Sequence, residues 1–399
     1  MLRSLGVARV VARLSMYNTT PYTGTSLYST TTGTPSIPSI EYSEFGDPSK
    51  VLTHTTSSPV ATKGGEDGSD DVTVSVLASP VNPADINTIQ GVYPSKPSSF
   101  PAVPGNEGVG YVAGKGRVIS AVPALGWWRE SFSTHPDNLL FLDEVCEGHG
   151  DTVLTNAQAA TMTVNPTTAL RMLSDFVPGP GKGGSDGEGR VFIQNGATSA
   201  VGRAAIQIGA ATGWESVNVI RARESEEETE AVKDELKALG ATEVLTEEEA
   251  AGASTRDLGS VAPSLALNCV GGRSSITLAK HLSQGGTLVT YGGMSMRPVT
   301  IPTGLLIFKD ISVVGFWMTR WNAEASREAK VEMYRSLVDL VAAGKLSWAG
   351  PSDFNLVPFG PGCVSSAFPP PAEGGGGAER KKKALFVFPS EIGDEHHVV

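Results

Sequence analysis

The stretch VFIQNGATSAVGRAAIQIGAATGWESVNVIRAR, residues 191–223, reads as a strand, a turn of small residues, a helix and a second strand that ends in two arginines. Val191 to Gln194 supply the first strand. Gly196, Ala197, Ser199, Ala200 and Gly202 keep the turn narrow, so that backbone N–H groups can approach a pyrophosphate at the helix N-terminus. Val201, Ala204, Ala205 and Ile208 recur at helical spacing and give the helix a face to pack on a sheet. After Val217 to Ile220, the position at which an NAD site places an acid on the ribose 2′-hydroxyl holds Arg221 and Arg223. Two guanidiniums suit a 2′-phosphate, which predicts NADP(H) in preference to NAD. The turn is not a strict G-x-G-x-x-G, because Ala197 and Ser199 stand where its first two glycines would be.

With 399 residues the chain is too long for one ordinary core, and two domains are expected. Its hydrophobic content of 40% and charged content of 18% suit a globular enzyme, and no apolar run reaches the ~20 residues of a membrane span. A formal charge of −11 argues against nucleic-acid binding, which needs a basic face. Cys146, Cys269 and Cys363 lie far apart and outside any C-x-x-C spacing, so neither a zinc site nor a disulfide framework is expected. His396 and His397 stand in a polar tail without neighbouring ligands.

Residues 1–37 differ from the rest. Arg3, Arg9 and Arg13 alternate with apolar residues, a Ser/Thr-rich run follows, and no acid precedes Glu41. Such a leader reads as an organellar transit peptide, mitochondrial in preference to plastid. Residues 38–165 carry short alternating runs, such as Val72 to Leu77, among Pro and Gly turns and read as strands. Residues 166–313 alternate strands with helices: a helix over 226–239 capped by Ser225, strands over 265–270 and 287–291, and a helix near 275–281. This alternation predicts a parallel, doubly wound sheet. Residues 314–399 return to mixed character, with a helix near 330–343 and a last strand over 384–388. Lys63 to Asp71, Pro178 to Gly189 and Pro369 to Gly377 are crowded with Gly, Pro or acids and read as surface insertions.

The segment SPVNPADINTIQGVYPS, residues 79–95, is the second informative one. Pro83, Gly91 and Pro94 shape a turn-rich loop that holds Tyr93, whose phenol could donate a hydrogen bond or simply pack.

Eight ordered motifs add to this: S-P-V-N-P-A-D-I-N at 79–87, G-V-Y-P at 91–94, G-N-E-G at 105–108, V-N-P-T-T-A at 164–169, Q-N-G-A-T-S-A-V-G at 194–202, L-A-L-N-C-V-G-G at 265–272, Y-G-G-M at 291–294 and F-K-D-I-S-V-V-G-F-W at 308–317. From about residue 40 onward, the chain resembles the medium-chain dehydrogenases/reductases, and within them the mitochondrial trans-2-enoyl-thioester reductases of type II fatty acid synthesis. The resemblance implies an α/β protein with a Rossmann-type cofactor domain (166–313) and a mostly β, GroES-like catalytic domain built from 38–165 and the return segment 314–399. The superfamily's zinc enzymes carry G-H-E where this chain has Gly105, Asn106 and Glu107, so a metal-free reductase is implied.

By the same resemblance, Tyr93 is the catalytic tyrosine, binding the thioester carbonyl or assisting protonation at Cα. Asn165 and Thr198, Ser199, Ala200 and Val201 are cofactor contacts, and Arg221 and Arg223 hold the 2′-phosphate. Tyr291, Gly292, Gly293 and Met294 with Phe316, Trp317 and Met318 wall the nicotinamide, with Trp317 near Tyr93. Lys382 is a late cofactor contact, flanked by Lys381 and Lys383. The implied reaction is NADPH-dependent reduction of a trans-2-enoyl thioester of acyl carrier protein or CoA. A homodimer is also implied, and the apolar segment from Met294 to Ile307, with Val299, Ile301, Leu305 and Leu306, is the candidate contact, unless it is a buried connection. A short loop at 114–120 and the second tryptophan in Gly126-Trp127-Trp128-Arg129 depart from the family pattern on the substrate side. Two other readings stay open: a quinone or enone reductase of the same fold, and an inactive NADPH-binding protein.

Overall fold

The computed structural model describes residues 36–56, 70–176, 190–259, 261–350, 353–369 and 382–389. The leader before residue 36, the interiors of the three insertions, the terminal histidines and Lys381 lie outside these residues.

In chain order, the first sheet is entered by β1 (Val72–Pro80), followed by a short helix α1 (Pro83–Ile89) and the strands β2 (Val109–Val112), β3 (Gly116–Ser120), β4 (Ser131–Thr134) and β5 (Leu139–Phe141). The helix α1 corrects the turn-rich reading of residues 79–95. Pro83 occupies its first turn, where a missing N–H costs nothing, and the Asp85 carboxylate accepts from the backbone N–H of Asn82 at 2.7 Å. Only the residues after Gln90 form the loop that carries Tyr93. The tryptophan pair is also resolved: Trp127 and Trp128 are fully buried in the core of this domain, and their indoles donate to Ser120 Oγ and the Pro80 carbonyl. Their bulk sets the packing of the sheet and faces no cleft.

The helix α2 (Asn165–Asp175) leads to the second sheet: β6 (Arg190–Gln194), α3 (Ala200–Ala211), β7 (Trp214–Ile220), α4 (Glu226–Ala238), β8 (Glu243–Thr246), β9 (Leu265–Asn268), α5 (Gly272–His281), β10 (Thr287–Thr290) and β11 (Ser312–Gly315). Its order is β8-β7-β6-β9-β10-β11 and every pairing is parallel. The strand order reverses between β6 and β9, which opens a crevice at the carboxyl ends of these strands. Parallel strands are covered on both faces, and accordingly all of β9 is buried. Ser225 caps α4, accepting from the N–H of Glu228.

The chain then forms α6 (Met318–Glu324) and α7 (Arg327–Ala342) and returns to the first sheet through β12 (Phe354–Pro358) and β13 (Lys383–Val387), giving the order β12-β13-β1-β2-β3-β5, with β4 paired to β1. Between Met294 and Phe308 lie a three-residue strand (Arg297–Val299) and a short helix (Thr303–Phe308). Ile301 and Leu305 lean on the cofactor-sheet core, while Met294, Met296, Ile307 and Phe308 are exposed, so the segment is not a buried connection. Among the described residues no helix is long and apolar enough to cross a membrane.

Candidate active site

The turn after β6 is held by buried amides. Asn195 is fully buried: its Oδ1 accepts from the N–H of Cys269, and its Nδ2 donates to Asn268 Oδ1 at 2.8 Å. These bonds tie the β6 turn to the end of β9, the two strands that flank the crevice. Gly196 has φ of +59°, and a Cβ there would lie 2.5 Å from Cys269 Sγ. At Gly202, a Cβ would lie 2.7 Å from Ala197 Cα and the Ala197 carbonyl oxygen, so only glycine lets α3 sit this close to the turn. Ser199 caps α3 through its Oγ and the Gly202 N–H.

The predicted cofactor residues all lie at or just beyond the carboxyl ends of parallel strands, apart from two. Thr198 to Val201 follow β6, Arg221 and Arg223 follow β7, Tyr291 to Met294 follow β10, and Phe316 to Met318 follow β11. Asn165 opens α2, whose Ala169, Met172 and Leu173 share a core with Ala204, Ala205 and Ile208 of α3. Among the described residues neither Arg221 nor Arg223 is in an ion pair, and Arg221 is exposed. The Tyr291 hydroxyl is buried beside Cys269 and Ser199, and burial pushes its ionisation upward. A narrow glycine turn at a helix N-terminus and two guanidiniums outside any ion pair among the described residues fit the phosphates of NADP(H).

Tyr93 and Trp317 come together across the two sheets. Trp317 Nε1 donates to Tyr93 Oη at 2.7 Å, and the rings meet edge to face at 6.0 Å. Thr319 Oγ1 lies 3.4 Å from the same oxygen. The indole N–H fills one acceptor position of the phenol oxygen, so the Tyr93 hydrogen points away from Trp317, with Thr319 Oγ1 as a second neighbour.

Lys382, expected to touch the cofactor, is exposed, whereas Lys383 turns inward, since successive strand residues face opposite ways. Lys383 Nζ donates to Asn82 Oδ1 at 2.6 Å. It belongs to a buried polar cluster that was not legible beforehand. Asn82 Nδ2 donates to Glu107 Oε1 at 2.7 Å, and Thr163 Oγ1 donates to Glu107 Oε2 at 3.0 Å. Asp85 accepts from the N–H and side-chain amide of Asn106. Burial pushes the Glu107 carboxyl up to about 7 and that of Asp85 up to about 6, while burial lowers Lys383 against the pull of both acids. The spacing of Asn82 and Asp85 about Pro83 was the available signal.

Zinc does not fit these residues. Asn106 stands between Gly105 and Glu107, the two acids are committed to amide and hydroxyl donors, and among the described residues no three His, Cys, Asp or Glu side chains could hold a metal ion.

Comparison with known proteins agrees with this architecture. Residues 200–340 match the family described as zinc-binding dehydrogenase, and residues 68–124 match the alcohol dehydrogenase GroES-like domain. The mitochondrial enoyl-[acyl-carrier-protein] reductase of Caenorhabditis elegans is 46% identical over 288 residues, covering 69% of this chain and 77% of the relative. The protein of the same name from Rattus norvegicus is 40% identical over 342 residues, covering 82% and 85%. The structure of Etr1p with NADP and crotonyl-CoA superposes with a TM-score of 0.72 at 32% identity, covering 88% of this chain and 99% of that one. A mitochondrial 2-enoyl thioester reductase Etr1p/Etr2p heterodimer from Candida tropicalis gives a TM-score of 0.71 at 32% identity, with the same coverage.

Proposed function

The chain belongs to the family of mitochondrial enoyl-[acyl-carrier-protein] reductases, and from that premise we propose that it reduces trans-2-enoyl thioesters to saturated acyl thioesters with NADPH, in the mitochondrion, as the last step of a type II fatty acid synthesis cycle. The substrate is carried on acyl carrier protein or CoA.

The observation that carries this reading is the Tyr93 phenol, whose oxygen accepts from Trp317 Nε1 at 2.7 Å and whose own hydrogen is left for another acceptor. NADPH, when bound, supplies the hydride that adds at Cβ of the enoyl group. Negative charge then grows on the thioester oxygen, and Tyr93 donates its hydrogen bond there. A donor already aimed at developing charge lowers the barrier more than it stabilises the ground state. The enolate then takes one proton at Cα, from water or from the Tyr93 hydroxyl, which in that case is reprotonated by solvent. Arg221 and Arg223 would hold the 2′-phosphate, the turn from Thr198 to Val201 would receive the pyrophosphate, and the segments after β10 and β11 would border the nicotinamide. Asn165, at the start of α2, would add a further contact to the cofactor.

The assembly is a homodimer formed by β11, the edge strand of the cofactor sheet, and the adjoining apolar segment. Support comes from the exposure of Met294, Met296, Ile307, Phe308 and Val313 along this edge, and from the dimeric Candida tropicalis relative. Light scattering at micromolar concentration should give twice the chain mass, and a monomer mass would reject the dimer.

The function is tested by following NADPH consumption with crotonyl and longer 2-enoyl thioesters beside small quinones. Preference for the thioesters is expected; turnover of quinones alone would transfer the chain to quinone reduction, and no turnover of either would make it a binding protein.

A further inference from the structure

The cluster of Asn82, Asp85, Glu107, Thr163 and Lys383 joins three separate parts of the catalytic domain, and its cost needs an explanation. Two acids and one ammonium out of water are held only by a handful of hydrogen bonds, and buried ions of this kind rarely repay their desolvation. A bonded route leads from it to the reacting residue. Glu107 holds the amide of Asn82. Asn82 precedes α1, and its amide is turned away from the helix toward Glu107 and Lys383 while Asp85 ties down its backbone N–H. At the far end of α1, the Asn87 carbonyl accepts from the backbone N–H groups of both Val92 and Tyr93.

We propose that Glu107 is a positioning residue for the reduction: its carboxylate, by holding Asn82 and Thr163, fixes the start of α1 and through that helix the placement of Tyr93. This rests on the functional reading above and adds a residue that touches neither substrate nor cofactor. Both Asn82 Nδ2 and Thr163 Oγ1 donate to Glu107, and Lys383 faces it, so the site is built for the ionised form. A protonated carboxyl would bring a hydrogen of its own into a ring of donors and leave Lys383 without a full counter-charge. The other titratable groups facing it are Asp85 from α1 and Tyr334 from α7, whose phenol is pushed up by burial and by Glu107 itself. Glu107 gains its negative charge near pH 7, so positioning, and with it kcat, should improve as pH rises through about 7.

The test is the pH profile of kcat for NADPH-dependent reduction of a trans-2-enoyl thioester, from about pH 5.5 to about pH 8.5, with KM for NADPH measured alongside. The wild type should lose activity on the acid side. Glu107→Gln, which cannot gain charge, should lose that acid limb, with a plateau kcat reduced roughly tenfold and KM for NADPH within about twofold of the wild type. Because this variant could fail to fold, Thr163→Val and Thr163→Ser serve as a second pair. The valine variant removes one donor and should lower kcat severalfold, and the serine variant should restore it. The proposal is overturned if Glu107→Gln keeps the acid limb and the wild-type kcat, or if the valine and serine variants turn over equally fast. Absence of enoyl thioester turnover in the wild type would instead remove the functional reading itself.

Discussion

Trp317 and Tyr93, 224 positions apart in the chain, share a hydrogen bond of 2.7 Å in which the indole is the donor. One residue follows the last strand of the parallel sheet and the other follows α1 of the β domain, so the bond exists only when both domains are folded and in place. Trp317→Phe keeps an aromatic edge against the phenol but removes the N–H. The Tyr93 hydroxyl is then free to rotate, and kcat/KM for a 2-enoyl thioester should fall by roughly tenfold, about the worth of one hydrogen bond. Steady-state kinetics read this directly, and an unchanged kcat/KM would mean that the indole only packs.

Arg221 and Arg223 sit beyond β7, in no ion pair among the described residues. Replacing both with Ala should raise KM for NADPH by roughly tenfold to a hundredfold, as expected for lost charge-assisted bonds, and leave KM for NADH nearly unchanged. A wild-type enzyme that used both cofactors equally would remove the basis for this assignment.

Gly202 is a packing requirement. The methyl of Gly202→Ala would enter to within 2.7 Å of Ala197 backbone atoms, so the turn must move away from α3. The variant should lose on the order of 1–3 kcal/mol in stability and bind NADPH more weakly, which thermal melts and cofactor titration would show together. Retention of both would place the slack elsewhere in the turn.

How much of this was legible beforehand follows from the range of the interactions. The β6 turn, α3 and β7 could be read from residues 191–223 because small residues, helical spacing and apolar runs are local signals. In α1, Pro83 and Gly91 carry the signal of turn formers, and only the placing of Pro83 between Asn82 and Asp85 marks a helix start. That Trp127 and Trp128 belong to the core depends on which sheet face they meet, which the local sequence does not carry. The Glu107 cluster depends on contacts such as Lys383 to Asn82, 301 residues apart, which no periodicity encodes. In the lysine run, strand alternation could have separated Lys382 from Lys383, had the register of β13 been known.

Asp85 gives a pH dependence of stability. Burial raises its carboxyl to about 6, outweighing the Asn82 and Asn106 donors and Lys383, which pull it down. The folded state therefore holds this proton more tightly than the unfolded chain. The contribution is full below about pH 4 and is lost as pH rises through about 6, a change on the order of 3 kcal/mol. Asp85→Asn has no such proton. The difference in Tm between this variant and the wild type should shift in favour of the variant between about pH 4 and about pH 7. A difference that stays flat across this range would show that Asp85 titrates normally.

The central claim is that Tyr93 donates to the thioester oxygen as charge develops there. Its most direct test is kcat/KM of Tyr93→Phe with NADPH and a trans-2-enoyl thioester, measured on enzyme whose Tm and NADPH affinity match the wild type. One lost donor at an oxyanion-type site should cost roughly a hundredfold to a thousandfold. A folded, NADPH-binding Tyr93→Phe enzyme with near-normal turnover would contradict the account.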